Sequence, residues 1–176
     1  MLLSYRDIPK FPRSAYEVDV PWGYIENHLK SLLSEGPGGL NLDPDFQRAH
    51  VWTEDQQRAY IEYQLMGGDV SRNIVFNCAH WGELGREEGT VELVDGKQRL
   101  EAVRKFMRGD LEVFGQTVEE FGHMPAMDYR LRFIVCALET REEVLSLYLK
   151  INAGGTPHSK RELYKVRKLL EKERAK

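Results

Sequence analysis

The stretch "VELVDGKQRLEAVRKF", residues 91–106, passes in one step from alternating apolar positions through a tight polar turn to a helical period. Val91 and Leu93 alternate as in a strand, whereas Leu100, Val103, Phe106 and Met107 recur at helical spacing. Gly96 marks the switch, and Gly109 is placed to close the helix. A helix that starts directly after a strand leaves its first backbone N–H groups without intrahelical partners, with the positive end of its dipole behind them. Gly96 permits a backbone conformation or close approach that a side chain would forbid, while Lys97 and Arg99 add cationic donors. Arg99 suits a two-pronged grip on phosphate, and Lys97 acts as a point charge.

Asp95 is the odd member, because a carboxylate beside a phosphate cradle repels the ligand unless a cation lies between them. Magnesium is the natural choice. The structural alternative makes Asp95 a helix N-cap and Arg99 its salt-bridge partner one turn on. Spacing alone leaves both readings open.

Outward from this junction, the pattern predicts a first helix from Pro21 to about Ser34, with Ile25, Leu29, Leu32 and Leu33 on one face. An extended segment broken by Pro44 follows. Thr53 with Gln56 three residues on is a capping-box pattern, so a second helix is expected to run to about Met66 and end at Gly67 and Gly68. "NIVFNCA" reads as a strand pairing with "TVELV". "LEVFGQTVEEF" reads as a hairpin or short excursion. "YRLRFIVCALE", residues 129–139, is apolar on both sides, which marks an interior strand. Thr140 with Glu143 repeats the capping box before a helix carrying Val144, Leu147, Tyr148 and Ile151, and a last helix starts at Ser159. Strands alternate irregularly with helices, so the expected class is α+β with a small mixed sheet surrounded by helices.

The 176 residues suit one domain able to bury its own core, at 41% hydrophobic and 30% charged residues. The N-terminal twenty residues lack the apolar core of a signal peptide and no run reaches spanning length, so a cytoplasmic location without membrane contact is expected. Cys78 and Cys136 lack the paired spacing of zinc or redox sites and read as buried free thiols. Five scattered histidines match no metal motif, and no P-loop is present. The net charge of −3 conceals an asymmetry: residues 159–176 carry eight Lys or Arg against three Glu, a balance of +5 that leaves −8 on residues 1–158. That basic helix is either a phosphate-backbone contact or a solvated helix end.

Three blocks in order, "DPDFQRAHVWTEDQQRAYIEYQL" (43–65), "VDGKQR" (94–99) and "LYLKINAGGTPHSKREL" (147–163), resemble the N-terminal domain of GmrSD-type, type IV restriction endonucleases. The signature of that domain is Asp-Gly-Gln-Gln-Arg, and it belongs to the wider ParB and sulfiredoxin superfamily. The resemblance divides the chain into residues 1–40 (extension and helix), a core over 41–163, and the basic helix of 159–176. It implies a ParB/sulfiredoxin-like fold that binds nucleoside triphosphate, with hydrolysis a further expectation, in a DNA-processing or phage-defence system. Asp95, Gly96, Gln98 and Arg99 match the signature, and Lys97 departs from it by replacing an amide with a charge. His158 is a second departure. The resemblance also brings in Gln47 and Arg48, the latter reaching a phosphate from the opposite wall, and Asn152, which touches ligand or metal if it is not a cap. Asp95 and Arg99 would be the catalytic pair and Asp95 the magnesium ligand. Bland readings remain for each: an ion pair for Arg48, a C-cap for Asn152, a core anchor for Trp52, helix caps for Thr156 and Ser159. Nothing resembles the His-Asn-His nuclease domain of full-length enzymes of this type. The alternatives are a non-enzymatic DNA-binding or adaptor protein and a metal-dependent DNA nuclease on the same fold.

Overall fold

The computed structural model describes residues 15–35, 38–47, 51–82, 89–123, 125, 127–152 and 160–175. Its elements are β1 (Tyr16–Pro21), α1 (Ile25–Glu35), β2 (Leu40–Asn41), α2 (Glu54–Leu65), β3 (Asn73–Asn77), β4 (Val91–Asp95), α3 (Lys97–Met107), β5 (Arg130–Cys136), α4 (Arg141–Asn152) and α5 (Lys160–Arg174). The five strands form one sheet in the order β1-β5-β3-β4-β2. β1 runs antiparallel to β5, with Tyr16 opposite Val135, and β3 runs antiparallel to β4, with Phe76 opposite Leu93. β3 is parallel to β5 and β2 is parallel to β4. The fold is therefore α+β with a mixed sheet, β3 and β4 are neighbours, and β5 is interior.

Period-two alternation divides the apolar residues of β3, β4 and β5 between two separate cores. Ile74 and Phe76 of β3, Val91 and Leu93 of β4, and Leu131, Phe133 and Val135 of β5 face Leu29 and Leu32 of α1, Ile61 of α2, and Leu100, Val103 and Phe106 of α3. On the opposite face Val75 and Val94 pack with Phe46, with Val144, Leu145 and Tyr148 of α4 and with Val166 of α5. Each such large side chain fully removed from water contributes roughly 1.5–3 kcal/mol, before the entropy of ordering it is counted.

The two capping boxes close as their spacing predicts. Thr53 and Gln56 exchange side chain-to-backbone bonds at the start of α2, and Thr140 and Glu143 do so before α4. Pro21 departs from expectation, since it ends β1 instead of opening a helix, and a 3-10 turn at Trp22–Tyr24 intervenes before α1. Its φ of −59° would suit a helix, but its ψ of 145° is extended. β1 lies at the sheet edge, where proline's missing N–H costs no ladder bond. The thiols are free as expected, although Cys136 is only half-buried. The 111–121 stretch is an excursion with a single bridge between Val113 and Gln116.

Candidate functional site

The first residue of α3 follows β4 with one residue between them, Gly96, which caps the helix in the left-handed conformation at φ 95°. A Cβ there would lie 2.7 Å from Ile74 Cδ1 and 2.9 Å from the Asn73 carbonyl oxygen. Both of glycine's special properties are in use, because the backbone both turns left-handed and presses onto the start of β3. The first intrahelical bond runs from Leu100 N to Gly96 O at 2.9 Å, so the amides of the first turn have no carbonyl of α3 to bond.

Each polar side chain of the turn has a definite engagement. Asp95 is not the N-cap, since Gly96 holds that position. Its Oδ2 accepts from Arg99 Nη2 at 2.6 Å, and the same nitrogen donates to the Asn73 carbonyl at 2.9 Å. Arg99 Nε is buried with no hydrogen-bond partner. Gln98 is buried, and its Oε1 accepts from the backbone N–H groups of both Val51 and Trp52 at 3.0 Å. It fastens the segment ahead of α2 onto α3. Lys97 Nζ pairs with Asp43.

Gln47 lies on the same junction, its Nε2 donating to the carbonyls of Leu93 at 2.9 Å and Val94 at 2.7 Å. β2 pairs only as far as Glu92, so the Gln47 amide continues the work of an edge strand. Next to it, the Phe46 ring meets that of Tyr148 at 5.1 Å. One turn beyond Tyr148, Asn152 Nδ2 donates back to the Tyr148 carbonyl at 2.8 Å. Gln47 and the Asp95–Arg99 block, distant in sequence, thus meet at the end of β4, and Asn152 lies one turn past Tyr148, which packs with Phe46 and Val94 in the second core. Arg48, His50, Thr156, His158 and Ser159 lie outside the described residues.

Three features had no local sequence signal. Arg141 bonds Glu92 Oε2 at 3.1 Å, pairs with Asp45 and stacks 4.7 Å above the Phe46 ring; Lys165 Nζ adds a bond to the Asp45 carbonyl at 2.7 Å. This network ties α4 and α5 to the 45–47 turn. The second feature is a cleft of about 500 Å³ along one side of α3, lined by Leu42, Leu93 and Leu100 at its floor and by Asp43, Lys97 and Arg104 among its charged residues. Its volume falls within the usual range of small-ligand pockets. The third is Tyr60, whose hydroxyl donates to the Ser71 carbonyl at 3.0 Å. Burial pushes its pKa up to about 12 against the opposing charges of Arg99 and Arg72, so it remains a neutral donor.

Asp95 and Asp43 offer hard carboxylate oxygens, the donor type magnesium takes when one or two carboxylates and ligand phosphates complete its shell. Among the described residues no group of three or more His, Cys, Asp or Glu could hold a metal alone. Asp95 or Asp43 would leave most of such an ion's shell to phosphate and water.

The pattern of the GmrSD restriction endonuclease N-terminal domain matches residues 29–129, more than half of the chain. The chain belongs to this family. The GmrSD match contains the α2, β4 and α3 blocks, and neither Asn152 nor the basic α5 lies inside it. Membership connects the chain with restriction-endonuclease, defence-associated systems and thereby with DNA. No curated protein and no solved structure matches it. No helix of the described residues is long and apolar enough to cross a membrane.

Proposed function

We propose that the β4–α3 junction binds a nucleoside triphosphate together with magnesium, and that the domain supplies this binding, with or without hydrolysis, to a restriction system. The observation that carries the reading is the opening of α3. Its first-turn amides lie behind a glycine pressed onto β3, with Lys97 and Arg99 on either side. Phosphate would take the amides and both cations, with Asp95 holding magnesium and Gln47, Gln98 and Asn152 supporting the wall. Arg48 is proposed as a further cationic contact. Hydrolysis, if it occurs, would use Asp95 and Arg99.

The test is thermal unfolding with nucleoside triphosphate and magnesium. Ligand at a hundred times its dissociation constant adds about 2.7 kcal/mol of stability, a rise of several degrees. Arg99→Ala should remove the ligand-dependent rise whatever it does to the basal midpoint, and Arg99→Lys should retain part of it. An unchanged midpoint at millimolar nucleotide would remove the reading.

A second reading, DNA binding by α5, is favoured by its exposed Lys165, Arg167, Lys168, Lys172 and Arg174. Truncation after Leu163 is not a clean test, because Val166 is buried in the second core and Leu169 and Leu170 pack against it. Replacing Arg167, Lys168 and Lys172 with Gln keeps that packing. Loss of salt-sensitive DNA binding in this variant would support the reading. A nuclease reading is tested by plasmid left intact with magnesium or manganese.

A further inference from the structure

The Lys97–Asp43 pair is unlike an ordinary surface salt bridge, because its members differ sharply in exposure: the Lys97 side chain is 15% exposed and that of Asp43 is 79% exposed. Exposed pairs contribute little, since water solvates both partners almost as well. Here only the carboxylate can return to water cheaply, while the ammonium stays at the wall of the cleft beside Leu93 and Leu100. Asp43 is also held in place by its backbone. Its N–H donates to Asn41 Oδ1 at 3.0 Å, and the next residue is the buried Pro44 with its fixed φ. The fold thus presents a carboxylate over a lysine that has no comparable freedom to leave.

Building on the nucleotide reading, we infer that Asp43 is a resident counter-anion that competes with ligand phosphate for Lys97 and makes binding depend on a divalent cation. Among the described residues the junction sets Lys97 and Arg99 against Asp43 and Asp95, two charges of each sign. A bare triphosphate must therefore displace a carboxylate to reach Lys97, and seating it there leaves the displaced Asp43 carboxylate facing phosphate oxygens. A divalent cation between carboxylate and phosphate removes that repulsion. Asp43 thereby discriminates a metal-bound nucleotide from a bare one, a selectivity that neither the amides nor Arg99 supplies.

The experiment is calorimetric titration of the wild type, Asp43→Asn, Lys97→Gln and the double variant with ATP and with GTP, each with magnesium and with chelator. Asp43 is exposed, so its replacement leaves the fold intact. Asp43→Asn should bind the chelated nucleotide about tenfold more tightly than wild type, the effect of losing one competing charge-assisted contact, and should show a smaller gain from magnesium. In the Lys97→Gln background the same substitution should give a clearly smaller gain, since the competition for Lys97 is gone and the carboxylate's repulsion of phosphate is what remains. Wild-type binding left unchanged by Asp43→Asn, or an equal gain in both backgrounds, overturns the inference and leaves the nucleotide site standing. Absence of nucleotide binding in all four proteins overturns both.

Discussion

Arg99 turns back on Asp95 at 2.6 Å, and both side chains are mostly shielded, 20% and 24% exposed. The pair spans one helical turn across the glycine, so it fastens the last residue of β4 to α3. Asp95→Asn is expected to lower unfolding free energy by about 1–2 kcal/mol, within the range for charge-assisted bonds. A double-mutant cycle with Arg99→Gln in urea should return a coupling of similar size. Coupling near zero would show that the contact adds nothing to the fold and would leave ligand binding as its only role.

Gly96→Ala should be among the most damaging single substitutions in the chain. The left-handed φ costs an alanine about 1–2 kcal/mol, and the added carbon would meet Ile74 and the Asn73 carbonyl below 3.0 Å. A loss beyond about 2 kcal/mol, or failure to accumulate folded protein, is expected from urea unfolding and near-ultraviolet dichroism. A variant as stable as wild type would mean that β3 can retreat from the turn.

Gln98→Leu keeps volume but removes the acceptor shared by the Val51 and Trp52 amides. Leaving these donors to find water should cost about 1–3 kcal/mol. Hydrogen exchange should speed up at Val51 and Trp52 before it does in β3 or β4. Unaltered exchange there would show that this bond does not hold the segment.

Glu26 is joined to Arg104 by bonds of 2.5 and 3.2 Å, tying α1 to α3. Hydrogen bonding from Arg104 holds its carboxyl below the ordinary glutamate value despite partial burial. A depressed folded-state pKa means that the contribution is present above the unfolded value and is lost as pH falls through the folded one. Stability should therefore drop as pH falls below the ordinary glutamate value of 4.5 and through the lower folded one, and Glu26→Gln should flatten that slope. At neutral pH the substitution should cost at most about 1 kcal/mol, because the carboxylate is half exposed and screened. Parallel slopes in the two proteins would assign the acid sensitivity to other carboxylates.

Local features were the ones legible in the sequence. The two capping boxes, the β4–α3 switch and the apolar alternation of β5 are written in residues only three or four apart, and all appear where the pattern put them. β1 was missed because "YEVDVP" is short, half polar and ended by a proline that also suits a helix start, while its partner lies at residues 130–135. At the site, Asp95, Gly96 and Arg99 could be singled out from spacing. Their engagements needed the fold, because Asp43 is 54 positions from Lys97 and Gln98 serves a segment 46–47 positions away. Ion pairs carry no periodicity, so the Arg141–Glu92–Asp45 network left no trace in the pattern either.

The pairing of β1 with β5, Tyr16 against Val135, sets a timetable for a chain emerging from the ribosome. The β3–β4–α3 unit is made of near neighbours and can assemble early, whereas β1 must wait for more than a hundred residues before its hydrogen-bonding partner exists. Until then Val20 and Trp22, both buried in the finished protein, are without that cover and stay open to a holding chaperone.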